Sequence, residues 1–308
     1  MVSLRGMDRQ GLFCRRVRWK YIVCDNSETA IVEGPLSMTL ESRQQKSKQT
    51  MHHDDTRNDP ITTALLLAAG SGCRLRPVTN DQPKCLTEVD GIPILKRLVD
   101  CLCQQGFKRL VVVVGYLEHR IRNFLGERQG SLSIEYVVNP QYRTTNNIYS
   151  LWLARDVVQE PFLLIESDLL FEPALLHDLQ QANMIAVSSL QSWMNGSTVT
   201  VDHLQQVRGF QLGDERDTEG LRYKTINICS LSIRSWRQVI RRLGQHVAAG
   251  RVNDFYECVF AEMVADGSLS FQAVFFDPHS WHEIDTLEDL QKADLFFKLD
   301  GKEQASPV

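Results

Sequence analysis

The chain lacks any apolar run of the roughly 20 residues that a bilayer-spanning helix requires, so it offers no membrane segment. Its eight cysteines (Cys14, Cys24, Cys73, Cys85, Cys101, Cys103, Cys229 and Cys258) include no Cys-x-x-Cys pair and are too sparse for a disulfide scaffold. They read instead as small apolar fillers in a reduced compartment. A strong positive balance is missing too. The formal net charge is -4, and nothing overall would draw the chain to nucleic acid. No apolar stretch of roughly 7–15 residues follows the basic start, so no secretory signal is expected. Repeats and low-complexity tracts are absent. What is present is an ordinary globular composition, 43% hydrophobic and 23% charged over 308 residues, enough for one large or two small domains. These exclusions leave a cytoplasmic enzyme as the expectation.

Residues 1–60 differ from the rest, with scattered Arg and Lys followed by a polar run from Glu41 to Asp59. They read as a flexible extension. A translated upstream segment without function fits as well as a targeting or binding arm, and Met51 would serve as a start. From Ile61 onward, strand-like Ala64–Ala69, Lys108–Gly115, Ser131–Asn139 and Pro161–Ser167 alternate with helix-like Pro93–Gln105, Glu118–Glu127 and Asn147–Val158. This alternation predicts an α/β fold: a doubly wound, mostly parallel, Rossmann-like sheet with helices on both faces and ligands at the carboxyl ends of its strands. Short strands at Met184–Leu190, Ser197–Val201, Val207–Leu212 and Thr225–Ile233 predict a small antiparallel addition that closes over the substrate. Helices at Ser235–Ala248 and Asp254–Asp266, a strand at Ser270–Phe275 and a helix at Asp285–Phe297 complete a domain of residues 61–300, with a tail at 301–308.

The first strand breaks into Gly70-Ser71-Gly72-Cys73-Arg74. Glycines let the backbone turn sharply and present successive N–H groups, a concavity suited to phosphate oxygens. Arg74 adds a forked cation for outer phosphates, and Lys84, after Pro83, supplies a second. A dinucleotide fingerprint is excluded because position 75 is Leu where a third glycine is needed. A P-loop is excluded because Gly-Lys-Ser/Thr is absent. Alone, Gly-x-Gly is a turn after a strand. Here strand, Gly-x-Gly-x-Arg, Pro-Lys and Gly91-Ile92-Pro93 follow in one order. In this the sequence resembles the nucleotidyltransferase superfamily that makes nucleoside-diphosphate sugars, polyols and amino alcohols, from about Ile61 to Phe297. The resemblance implies a nucleotide site of Leu67, Ala68, Ala69, Gly70, Ser71, Gly72, Arg74 and Lys84.

Asp168 follows the strand FLLIES at the carboxyl edge of the sheet, though on position alone it is also a plausible turn carboxylate. Asp285 reads equally well as a helix N-cap. In the resembling family two aspartates at these positions share a magnesium ion on the nucleotide phosphates, and a carboxylate–phosphate–water shell suits magnesium better than zinc. His279 and His282 find no ligands nearby to complete a tetrahedral set, which leaves them structural or in support of the groups that touch the ligand. Asn146-Asn147-Ile148-Tyr149-Ser150 would ordinarily be a capped helix start with core aromatics. It also resembles the branch of cytidylyltransferases acting on phosphocholine and 2-aminoethylphosphonate, as do Trp193–Ser197, Tyr223–Ile228 and Asp254–Glu257. One departure stands out: the branch typically carries an aspartate where this chain has Asn195.

An aminoalkyl phosph(on)ate has a cationic and an anionic end. Trp193, Tyr256, Glu257, Trp281 and Glu283 suit the first, Lys224 and Asn227 the second, and the resembling segment adds Asn147 and Tyr149. Each is as readily a core aromatic or a solvated charge. Because the acceptor's second proton leaves at roughly pH 6–7, no histidine or serine base is needed. The expected catalytic residues are Lys84, Arg74 and Asp168, and Asp168 and Asp285 are the expected magnesium ligands. The activity this implies is transfer of CMP from CTP to 2-aminoethylphosphonate, or next to phosphocholine, with release of pyrophosphate. The choice of CTP rests on the resemblance. A sugar- or polyol-phosphate nucleotidylyltransferase and a catalytically silent nucleotide-binding domain are the alternatives. No nucleic acid or membrane partner is expected, and a homodimer stays open.

Overall fold

The computed structural model describes residues 59–191, 194–213, 221–278 and 280–303, with side chains as far as 295. The chain divides into two units, residues 1–56 and 57–308, and the second carries the fold. The extension expected at 1–60 lies almost wholly outside the described residues, as do Trp193, His279 and the tail beyond Glu303.

Four parallel strands, β1 (Thr63–Ala68), β2 (Arg109–Val114), β3 (Leu132–Val138) and β4 (Phe162–Glu166), form the middle of a larger sheet in the order β4-β1-β2-β3. Every residue of β1 is buried, as a strand covered on both faces demands. Alternate side chains enter two different cores. Leu66, Ala68, Val112 and Val114 meet α1 (Ile94–Gln104) and α2 (Glu118–Leu125) on one face. Leu65, Leu67, Val111 and Val113 meet α3 (Asn147–Leu153), α4 (Ile233–Ala248) and α5 (Tyr256–Ala265) on the other. The sheet is therefore doubly wound. The helix expected to run to Val158 ends as an α-helix at Leu153 and continues as one 3-10 turn, Ala154–Asp156.

Later strands extend this sheet and add a separate ribbon. These are β5 (Leu169–Phe171), β6 (Met184–Ser189), β7 (Thr198–Val201), β8 (Val207–Gln211), β9 (Arg222–Leu231), β10 (Gln272–Phe276) and β11 (Trp281–Glu283). The second half of β9 runs antiparallel to β4, with Ile228 opposite Ile165, while its first half pairs with β6 and β7. The antiparallel addition is thus continuous with the parallel sheet. The β9–β6 register breaks between Thr225 and Cys229, where Asn227 adopts φ 59. β9 stops two residues short of the expected Ile233 because Ser232 caps α4, its hydroxyl accepting from the Ser235 amide at 3.0 Å.

The ribbon of β5 against β11 was not expected, and it positions the site. Glu283 pairs with Leu169 and Trp281 with Phe171, and the Ile284 amide donates to the Asp168 carbonyl at 3.0 Å. Backbone hydrogen bonds therefore tie the segment after Asp168 to the segment before Asp285. The last helix, α6 (Leu287–Glu303), runs beyond the expected Phe297. Among the described residues no helix is long and apolar enough to cross a membrane.

Candidate active site

The turn after β1 is braced from three directions. Gly72 adopts φ +59, and a Cβ there would lie 2.9 Å from Lys84 Cβ and 3.2 Å from Thr79 Cγ2. The Thr79 hydroxyl donates to the Gly72 carbonyl at 2.8 Å. The absent side chain thus lets the Lys84 stem lie against the turn. Tyr116, on the loop after β2, donates its amide to the Ala69 carbonyl at 3.0 Å and its hydroxyl to the Thr79 and Asn80 carbonyls at 2.9 and 2.7 Å. Next to it, a Cβ on Gly115 would sit 2.8 Å from both the Ala69 oxygen and Tyr142 Cβ. Sequence reasoning did not assign Gly115 or Tyr116 to the site; the glycine ending the VVVVG run was the available signal. Gly72→Ala should lower unfolding stability by about 1–2 kcal/mol, from the left-handed backbone alone, and should displace Lys84. Urea unfolding together with turnover would check this.

Leu67, Ala69, Gly70 and Gly72 line a cleft of about 270 Å³ together with Arg74, Lys84, Asn147, Glu166, Asp168 and Asp285. Ala68 points the other way, into the core, and Ser71 is half-buried in the turn. At the cleft floor the Lys84 ammonium donates to Asp168 Oδ2 at 2.7 Å and to Asp285 Oδ1 at 2.6 Å, and Arg74 donates to the same Asp285 oxygen at 2.7 Å. Asp285 is therefore not the cap of α6: Thr286 and Asp289 take that role, with the Asp289 carboxylate accepting from the Thr286 amide at 2.8 Å. Burial alone would lower the Lys84 pKa, but the charges of and hydrogen bonds to Asp168 and Asp285 outweigh it and the net shift is upward. Burial pushes Asp285 up, and Lys84 and Arg74 more than reverse this.

Oxygens of Asp168, Glu283 and Asp285 lie within 4.8 Å of one another, and the buried Asp168 Oδ1 has no hydrogen-bond partner. Three carboxylates, one with a free buried oxygen, suit a hard divalent cation. Glu283, expected to face the acceptor, is drawn into this group, with its carboxylate 3.6 Å from the Lys224 ammonium.

The wall behind the cleft is a buried polar cluster. Asn147 is at the start of α3, capped by the Asn146 side chain; its amide donates to Glu166 at 3.0 Å and to Glu257 at 3.4 Å, and its carbonyl accepts from the Tyr256 amide at 2.9 Å. Lys224 is 3% exposed, its ammonium donating to the Thr225 carbonyl at 2.7 Å, and Gly196 lies against it beside an exposed Asn195. Asn227 accepts from the Thr225 hydroxyl at 3.3 Å and lines a small cavity with Tyr256 and Glu257. Two expected acceptor aromatics lie elsewhere. Trp281 is 5% exposed and packed in the core, because its place on β11 faces the α1 side, and Tyr149 packs on Trp152 at 5.5 Å. Glu166 was missed by sequence reasoning, since a glutamate ending an apolar strand is not distinctive on its own.

Burial pushes Glu166 well up, reinforced by Glu257, Asp168 and Glu283, and raises Glu257 to about 7 from an ordinary 4.5. A carboxyl that is more basic when folded stabilises the fold below its unfolded pKa, and that contribution is lost as pH rises from about 4.5 through about 7. Glu257→Gln should therefore be more stable than the parent at pH 8, by on the order of 2 kcal/mol, and about equal at pH 4.5. Denaturant titrations at the two values would check the sign.

Residues 63–198 match the nucleotidyl transferase family model. The chain is 30% identical over 252 residues to a CMP-5'-(3-aminopropyl)phosphonate synthase of Streptomyces rubellomurinus, across 78% of this chain and 40% of that protein. It is 35% identical over 123 residues to a 2-aminoethylphosphonate cytidylyltransferase of Lancefieldella rimae, across 38% of this chain and 49% of that one. The chain thus spans about half or less of the length of these relatives. The solved CTP:phosphocholine cytidylyltransferase of Streptococcus pneumoniae shares the fold, with a TM-score of 0.65 over 78% of this chain and 100% of that one, at 20% identity.

Proposed function

Because residues 63–198 match the nucleotidyl transferase family model, we propose that this chain is a magnesium-dependent cytidylyltransferase. It transfers CMP from CTP to an aminoalkyl phosphonate or phosphate, 2-aminoethylphosphonate before phosphocholine, and releases pyrophosphate. The observation that carries this reading is the meeting of Lys84, Asp168 and Asp285 at the floor of the glycine-turn cleft.

The chemistry requires two anions to approach in line, so positioning and charge neutralisation dominate. Asp168 and Asp285, with Glu283 beside them, would hold magnesium. When bound, that ion offsets negative charge on the nucleotide phosphates. The amides of the Gly70–Gly72 turn and the Arg74 guanidinium take the outer phosphates. Lys84, on the same floor, takes the α-phosphate. The acceptor arrives already ionised, so no side chain has to remove a proton from it. Its oxygen forms the new P–O bond as the bond to pyrophosphate breaks.

The test is a panel of CTP, UTP, dTTP and ATP against 2-aminoethylphosphonate, phosphocholine, glucose 1-phosphate and inositol phosphate, read by pyrophosphate release. Turnover is expected with CTP and the aminoalkyl acceptors. Preference for UTP with glucose 1-phosphate would establish the sugar-nucleotide alternative, and silence across the panel would favour a binding domain.

A further inference from the structure

Five carboxylates, Glu166, Asp168, Glu257, Glu283 and Asp285, gather at the cleft and the wall behind it, against three cations, Arg74, Lys84 and Lys224. Both substrates proposed above are anions. Acidic groups outnumber basic ones there, and a cation arriving with the substrates would redress the balance.

Ion pairing divides the five. Asp285 holds Lys84 and Arg74, Asp168 holds Lys84, and Glu283 faces Lys224. Among the described residues, no lysine, arginine or histidine forms a close ion pair with Glu166, and Glu257 feels only the more distant charge of Lys224. Instead the two share the side-chain amide of Asn147, at 3.0 and 3.4 Å. An incoming positive charge gains most beside a buried acidic group that no cation of the chain already holds. Only Glu166 of the two lines the cleft; Glu257 is 7% exposed behind it. Glu166 is also two residues before Asp168, at the end of β4. Both line the same cleft, so one acceptor can meet Glu166 with its cationic end while its anionic end faces the Asp168 centre.

We propose that Glu166, oriented by Asn147 with Glu257 behind it, binds the primary ammonium of the acceptor and selects acceptors that carry one. This deepens the function proposed above and rests on it. A primary ammonium offers three N–H donors to these carboxylates. A trimethylammonium offers none, and an alkyl phosphonate without nitrogen leaves both carboxylates unpaired.

The experiment compares the full chain with Glu166→Gln, which keeps the size and the oxygen that accepts from Asn147. With CTP, kcat and KM are measured for 2-aminoethylphosphonate, ethylphosphonate and phosphocholine, alongside manganese binding by electron paramagnetic resonance and thermal unfolding. The parent is expected to favour 2-aminoethylphosphonate over ethylphosphonate by about 100-fold or more. Glu166→Gln is expected to remove most of that preference, mainly through KM, while ethylphosphonate changes only a few-fold and manganese binding is retained. Equal losses on both acceptors, or loss of manganese binding, would show that Glu166 serves the metal centre and would overturn the inference, as would a parent preference for phosphocholine. A parent that transfers CMP to none of the three would overturn the underlying function as well, a result distinct from equal losses. If Glu166→Gln is unstable, Glu166→Asp takes its place, with the amine preference kept and the KM raised; a preference lost there would count against the proposal.

Discussion

Asp168→Ala is expected to give a folded protein whose nucleotidyl transfer falls by about 10²–10³-fold, since one charged contact at such a centre is worth roughly 3–4 kcal/mol of barrier. Two observations separate the loss of activity from loss of fold. The tie between Asp168 and Ile284 runs through the backbone carbonyl of residue 168, which alanine keeps. Lys84 retains Asp285 at 2.6 Å, so its ammonium is not left alone. The change removes two oxygens, one bonded to Lys84 and the other buried without a partner. Pyrophosphate release and circular dichroism on the same preparation check both halves. Turnover at the parent rate would show that the acidic cluster is not the reacting centre.

Lys84→Met is expected to reduce transfer by about 10²–10³-fold and also to change how the resting protein responds to divalent metal. Lys84 bonds both aspartates, with side chains only 13 to 15% exposed on the three residues. Removing it leaves two neighbouring carboxylates facing each other, at a cost of about 2–3 kcal/mol once residual solvent access is allowed for. A divalent cation should restore that loss. Without nucleotide, magnesium should therefore raise the melting temperature of Lys84→Met by several degrees and that of the parent by little, because in the parent the metal must displace an ammonium. Melting curves with and without magnesium, in the absence of CTP, check this. An equal response in both proteins would mean that metal and lysine occupy different places. Lys84→Arg is not expected to rescue transfer, since a planar fork cannot reproduce a point charge bonded to two separate carboxylates.

Both predictions concern residues that the sequence exposes through local order. The apolar run before Gly70, the Gly-x-Gly-x-Arg turn, the following Pro-Lys and an aspartate at the end of FLLIES are features of neighbouring residues, and their chemistry follows from their types. The doubly wound core was equally legible, because a strand buried on both faces has to be apolar throughout and a covering helix has to repeat its apolar positions. Legibility ended where the signal was short or depended on contacts distant in sequence. β5 has three residues, too few for any periodicity, yet with β11 it brings Asp285 to Asp168. Asp285 in isolation reads as a helix cap, and only its contacts with Lys84 and Arg74 show otherwise. Glu283, Glu166 and Trp281 sort into metal cluster, cleft wall and core by the face each takes, and neighbouring letters do not carry that information.

By itself, then, the sequence determined a parallel α/β domain with an anion-cradling turn and a set of charged residues suited to phosphate chemistry, because strand burial, glycine turns and side-chain charge are local properties. Only the tertiary structure decided which carboxylates share a centre and which cations they hold, because those depend on chain segments more than a hundred residues apart being held a few ångströms from each other.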